Sequence, residues 1–201
     1  MGAAAARTLL TVEDYLALQA ASPLAKYEYY YGEIYDMAGA SPDHNVISGN
    51  LVGELRAALR DNPCRVFTSD QRVALDPNGH FGYPDVTVAC EEHYSGATLL
   101  TPLVVVEVLS DETETYDRGK KFEQYRRHTP LEAYVLVSQR APLVECFTRR
   151  EDGAWMLTEA DGMDASIEIS PLGVTLALGE VYRKVRFEND SPAPRPGIPG
   201  P

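Results

Sequence analysis

The chain is poor in cysteine, poor in cationic residues and without any long apolar run, and each shortage narrows what it can be. Its three cysteines, Cys64, Cys90 and Cys146, are odd in number, widely spaced and form no CxxC pair. That pattern speaks against a zinc knuckle or a disulfide framework. It predicts Cys90 and Cys146 as small hydrophobes inside strands, at home in a reducing cytoplasm. No apolar stretch reaches the roughly 18 residues that a membrane span needs. The opening MGAAAARTLL lacks the basic region and long apolar core of a signal peptide. Lysine and arginine together number 18 against 30 acids, a net charge of −12. Broad, nonspecific nucleic-acid affinity needs the opposite balance. No internal repeat is visible. Ser110 has no His–Asp partnership to activate it as a nucleophile and reads as a cap.

What is present is globular. The 201 residues are 44% hydrophobic and 24% charged, enough for one domain with its own core. We expect an N-terminal extension over 1–8, a domain over 9–187 and a Pro/Gly-rich tail over 188–201.

Hydrophobic spacing and punctuation predict the elements. A helix follows Thr11, with Glu13 and Asp14 in its first turn. The tyrosine-rich YEYYYGEIYDMAG reads as strand, turn at Gly32, strand. Ser41 and Pro42 open a helix whose face is Ile47, Leu51, Leu55 and Leu59. Gly49 and Gly53 inside it suggest a close packing contact. CRVFTSDQRVALD gives one or two strands, YPDVTVAC another, and EEHYSGATLLTP a loop. LVVVEVLS is the near-continuous apolar run of a strand covered on both faces. A helix over about 116–128 and the strand EAYVLVSQ then imply a parallel βαβ crossover. Shorter strands follow, with Asp-Gly turns at 152–153 and 161–162. VTLALGEVYRKV reads as a final helix.

Two of these buried runs carry an acid where a core residue belongs: Asp85 in YPDVTVAC and Glu107 in LVVVEVLS. A buried carboxylate needs a partner. Two of them side by side can hold Mg²⁺ or Mn²⁺, with waters and a substrate phosphate completing the shell. The basic helix that follows puts Asp117, Lys121 and Tyr125 on one face, at i, i+4 and i+8. Lys120 falls on the neighbouring face with Gln124, toward solvent. His44 reads first as a hydrogen-bonding residue at a helix start. The tyrosines at 27–35 read first as a sheet face or interface.

The order Tyr-Pro-Asp at 83–85, Glu-Val-Leu-Ser at 107–110, Asp117-Arg118-Gly119, Lys121-Phe122 and Tyr125 resembles the Uma2 family. GEIYDMAGASPDHN and EAYVLVSQ also resemble it, so the likeness spans about residues 10–185. That family is a domain of unknown function in the PD-(D/E)XK restriction-endonuclease-like superfamily. The resemblance implies an α/β (mixed α+β) fold with a mixed β-sheet flanked by helices, and a metal-dependent nuclease site. It carries over Asp85 and Glu107 as metal ligands. The superfamily's usual lysine, two residues after the second acid, is Leu109 here. In Uma2-like sequences the lysine comes from the next helix, which here means Lys121. An acid near the N-terminal region is implied too, with Glu33 and Glu28 as candidates, and His44 is a candidate for lining the same cleft.

The expectation is therefore a Mg²⁺- or Mn²⁺-dependent endonuclease acting on DNA, cytoplasmic and homodimeric, with Asp85, Glu107 and Lys121 catalytic and Glu33, His44, Asp117 and Tyr125 accessory. Two other classes stay open: a non-catalytic interaction protein that retains the fold, favoured by the charge of −12, and a hydrolase of a small phosphate compound.

Overall fold

The computed structural model describes residues 9–22, 25–37, 39–76, 78–111 and 113–187. The extension over 1–8 and the tail over 188–201 lie outside the described residues. The chain begins with α1 (Val12–Ala21), β1 (Tyr27–Tyr30), β2 (Glu33–Asp36) and α2 (Pro42–Ala58). Next come β3 (Arg65–Thr68), β4 (Val73–Asp76), β5 (His80–Gly82), β6 (Val86–Ala89), β7 (Tyr94–Ser95), β8 (Thr98–Leu99) and β9 (Val104–Val108). A continuous helical segment follows, made of α3 (Glu114–Tyr116), a π-helical turn (Asp117–Lys121) and α4 (Phe122–Tyr125). The chain then runs through β10 (Ala133–Val137), β11 (Leu143–Arg149), β12 (Trp155–Asp161), β13 (Ser166–Ile169), β14 (Val174–Ala177) and α5 (Leu178–Val181).

The strands form two six-stranded mixed sheets and a small ribbon. The central sheet has the order β12-β11-β10-β9-β6-β3. Its β9–β10 pairing is parallel, as the crossover predicts, and its other pairings are antiparallel. The second sheet runs β2-β1-β5-β4-β8-β7, and β13 pairs with β14. The fold is the mixed α+β one the sequence implies.

The middle of the central sheet is buried on both faces, which is why β9 and β10 read as unbroken apolar runs. One face packs Val86, Val104, Val106 and Val135 against Ile47, Leu51 and Leu55 of α2 and Leu178 and Val181 of α5. The other packs Val105, Tyr134 and Leu136 beneath Tyr125, with Val73 and Leu75 of β4 alongside. A third cluster of Tyr15, Tyr29, Ala74 and Phe81 fixes α1 to the second sheet.

Local chemistry sets the ends as expected. Thr11 and Asp14 form a reciprocal capping box at α1. Ser41 caps α2 by accepting the His44 N–H at 3.1 Å, with Pro42 opening the helix. Tyr31 and Gly32 turn the β1–β2 hairpin, both at positive φ (43° and 102°).

Several expectations are corrected. Cys64 and Cys90 form a disulfide. They flank the paired residues Arg65 and Ala89 of antiparallel β3 and β6, so sheet register, invisible in sequence spacing, brings them together. Cys146 is a buried free thiol, as expected. The supposed loop after β6 contains β7 and β8, and β8 joins the second sheet beside β4. The supposed last helix is β14 followed by the single turn α5. Gly49 and Gly53 are exposed, and a Cβ built on either meets nothing within 4 Å. No close packing explains them.

Candidate active site

Sheet register brings the two acids together. Val86 of β6 pairs with Val106 of β9 in antiparallel order, so Asp85, one residue before β6, falls opposite Glu107. Asp85 Oδ2 accepts the Val108 N–H at 2.8 Å, tying the first acid to the strand of the second. His44 Nε2, from the first turn of α2, lies 3.1 Å from the same oxygen.

The helical segment closes the site from above. Lys121 Nζ stands 2.9 Å from Glu107 Oε1, 3.3 Å from Glu28 Oε1 and 3.5 Å from Asp117 Oδ1. Tyr125 donates its hydroxyl to Glu107 Oε1 at 3.1 Å. Asp117, Lys121 and Tyr125 thus share one face, as their spacing requires, and Lys120 is exposed. Leu109, at the superfamily's usual lysine position, is buried among apolar side chains, and the helix delivers the ammonium instead. The π turn at Asp117–Lys121 was not foreseeable from periodicity. Such turns recur at functional sites.

Of the two acids expected from the N-terminal region, Glu28 is the one that meets Lys121. It also accepts the Tyr83 N–H, at 3.4 Å. Glu33 accepts the Tyr35 hydroxyl at 2.7 Å on the outer strand of the hairpin. An acid inside the apolar run YEYYY is the signal that favours Glu28.

Electrostatics follow from burial. Glu107, Asp117 and Lys121 are 4%, 3% and 6% exposed. Burial pushes the Glu107 carboxyl well above its ordinary range, and Lys121 opposes the shift while Asp117, Asp85 and Glu28 add to it. Burial also raises Asp117, again against Lys121. For Lys121 burial works against the charge, but Glu107, Glu28 and Asp117 overcome it and hold the ammonium well above its usual range. Behind the site, burial drives His80 down to about 4. Tyr116 is pushed up to about 12, chiefly by burial and then by Glu28.

Three carboxylates, Glu28, Glu107 and Asp117, therefore surround a single ammonium, and a fourth, Asp85, lies opposite Glu107 beside His44. The excess of hard oxygen donors and negative charge fits Mg²⁺ or Mn²⁺. Among the described residues no group of three or more His, Cys, Asp or Glu side chains is arranged as a metal cage. Two carboxylates with water and substrate oxygens are the binding mode these residues fit.

The arrangement has relatives. Residues 12–179 match the profile of the family described as "Uma2: Putative restriction endonuclease". Two uncharacterized proteins of Synechocystis are similar: slr1290, 33% identical over 89% of this chain and 94% of its own length, and sll1609, 34% identical over 81% and 93%. A crystal structure from Anabaena variabilis, described as a "putative nuclease belonging to DUF820", shares the fold at a TM-score of 0.69 and 16% identity, covering 86% of this chain and 97% of that one. Among the described residues no helix is long and apolar enough to cross a membrane. The chain belongs to the Uma2 family.

Proposed function

We propose that this chain is a metal-dependent nuclease that hydrolyses DNA phosphodiester bonds, with Asp85, Glu107 and Lys121 as its working groups. One observation carries the reading: a buried lysine held 2.9 Å from a buried glutamate, beside a second acid at the start of the adjoining strand. Burying so many charges costs stability, and a core of this size does not require them. Perturbed ionisable groups gathered in this way mark functional sites.

Asp85 and Glu107 would hold the cation, which when bound supplies a water of lowered pKa and positive charge against the phosphate. The chain's own residues do the rest. The Val108 N–H and His44 fix Asp85 Oδ2, and the Tyr125 hydroxyl fixes Glu107 Oε1, so neither carboxylate needs to reorganise. Lys121 directs its N–H donors at an attacking water or at the charge growing on the phosphate oxygens. Asp117 and Glu28 keep that lysine protonated and aimed.

The test is calorimetric Mn²⁺ or Mg²⁺ binding together with DNA cleavage by wild type, Asp85→Asn and Glu107→Gln. The reading expects binding and cleavage in wild type, and loss of both in each variant. Metal binding that survives both substitutions removes the site. Metal binding without cleavage of DNA favours a small-phosphate hydrolase or a non-catalytic protein instead.

A further inference from the structure

We propose that this site takes its DNA as an unpaired strand, whose bases stack on a rim of tyrosines interleaved with cations at the mouth of the acid–lysine cluster. The inference rests on the nuclease reading of that cluster and adds the form of the substrate.

The β1–β2 hairpin builds one half of the rim. Glu28 pairs across the hairpin with Tyr35, and Tyr30 with Glu33. Side chains opposite one another, and those two apart along a strand, share a face. Glu28 reaches Lys121, so Tyr35 and Tyr30 necessarily border the site. Tyr35 is 44% exposed. The Tyr116 ring, from the helical segment, lies 6.5 Å from it at an interplanar angle of 33°. Tyr116 is close enough to Glu28 and Lys121 for both to act on its hydroxyl.

The rim continues along the same helical segment. Lys120 Nζ stands 5.6 Å from the centre of the Tyr30 ring. Tyr31 meets Tyr30 edge-on at 4.9 Å, is 53% exposed, and lies within electrostatic reach of Arg127. Tyr31 also occupies a left-handed backbone conformation that a bulky residue rarely adopts. Its ring lies over Gly79, where an added Cβ would come within 2.4 Å of it. Glycine or asparagine would make that turn without strain. The Tyr31 hydroxyl donates to Asp76 Oδ2, which fixes the ring there with its outer face half exposed.

Charge excludes the alternative form. A duplex is held mainly through its phosphates, by lysines and arginines spread over a wide surface. This chain carries −12, and the rim's cations are few: Lys120 in the π turn, and Arg127 two residues past α4, where it pairs with Glu123. Aromatic rings with intervening cations bind unpaired strands with far less basic surface, because every base offers a face to stack. Paired bases offer only their edges.

The test is fluorescence anisotropy in EDTA, so that no cleavage intervenes, using a labelled single strand of about 12 nucleotides, its duplex, and the same strand without bases. We expect the single strand to bind at least tenfold more tightly than the duplex. The abasic strand should bind no better than the duplex. Tyr35→Ala and Tyr116→Ala should each weaken single-strand binding about fivefold or more, and Tyr35→Phe should not. Thermal melting checks that the Tyr116 variant is folded, and the exposed Tyr35 carries the test if it is not. Equal or tighter binding of duplex, no binding of either form, or wild-type binding by Tyr35→Ala overturns the inference. If the strand binds as expected but Mg²⁺ or Mn²⁺ produces no cut, the hydrolytic reading fails and this one stands.

Discussion

Removing the ammonium from the cluster should harm the fold far more than removing the acid it touches most closely. In Lys121→Met, Glu107, Asp117 and Glu28 lose the cation that now lies within 3.5 Å of each. Breaking a buried ion pair from one side costs about 3–5 kcal/mol. In Glu107→Gln, Lys121 keeps Glu28 at 3.3 Å and Asp117 at 3.5 Å, and the amide can still accept from Tyr125. The change should stay within about 1 kcal/mol of wild type, since burial already disfavours the charged form of Glu107. The double variant should recover about 2 kcal/mol of the Lys121→Met deficit, because the acid nearest the lost ammonium is neutral. pH gives an independent check. Burial holds the folded-state pKa of Glu107 above its unfolded value, and without the opposing charge of Lys121 the shift grows. The folded protein then binds the extra proton, so the Lys121→Met deficit shrinks as pH falls from about 8 to about 5. Urea unfolding of the four proteins at both pH values measures all of this. A Lys121→Met midpoint equal to wild type, or a Glu107→Gln loss as large as that of Lys121→Met, would refute the reasoning.

Three further outcomes follow from the same structure. Burial lowers the His80 pKa from 6.5 to about 4, so the unfolded chain binds the extra proton between those values. Stability is complete above pH 6.5 and falls by about 3 kcal/mol as pH drops to 4; His80→Gln should flatten that acid limb in urea titrations, and an unchanged limb counts against it. Gly49→Ala and Gly53→Ala place a methyl in open space on the exposed face of α2, and each should raise stability by about 1 kcal/mol, read as a higher melting temperature. The Cys64–Cys90 bridge spans a sequence separation of 26, so reduction should cost about 3.5 kcal/mol in the chain-entropy picture. Thiol titration after purification under air should find Cys146 as the one free thiol, and three free thiols would contradict the pairing.

The strands and helices that read most clearly are those whose local chemistry agrees with their packing. Ser41 and Pro42 announce α2, and its four-residue apolar spacing is the face that meets the sheet. The apolar runs of β9 and β10 announce a doubly covered parallel pair, and Glu107 stands out because everything around it is buried. What stayed hidden depends on register or on small geometric departures. Cys64 and Cys90 look unrelated until β3 and β6 align. β8 is two residues long and exists because β4 offers it an edge. VTLALGEV carries a strand and a helical turn in eight residues, too few for either period to declare itself. Glu28 is marked in the sequence only by its place inside YEYYY. It shares a hairpin face with Glu33 but lies farther from the turn, where it meets the lysine.

The π turn shows how a lysine that left the strand can still serve the strand's acid. In a regular helix one residue more or less rotates every side chain beyond it by about 100°. Lys121 and Tyr125 lie at the end of the turn and beyond it, and they are anchored by the stacking of Tyr125 on Tyr134, with ring centres 4.9 Å apart. Asp117 lies at its start, where its carbonyl accepts the Tyr134 hydroxyl at 3.2 Å. The widened turn takes up one extra residue while both ends keep facing the same buried glutamate. Deleting Gly119, which is exposed and has nothing within 4 Å of its would-be Cβ, should restore α-helical spacing without disturbing the core. Asp117 and Lys121 then stand at i, i+3, still on one face, so the acid should stay beside the ammonium. In the normal chain Asp117→Asn should raise stability at neutral pH, because burial outweighs Lys121 and disfavours the charged form. In the Gly119-deleted chain the same substitution should act in the same direction, since the carboxylate still faces Lys121. Loss of the Asp117→Asn effect in the deleted chain would mean that the π turn, and not the helical spacing, sets the position of Asp117.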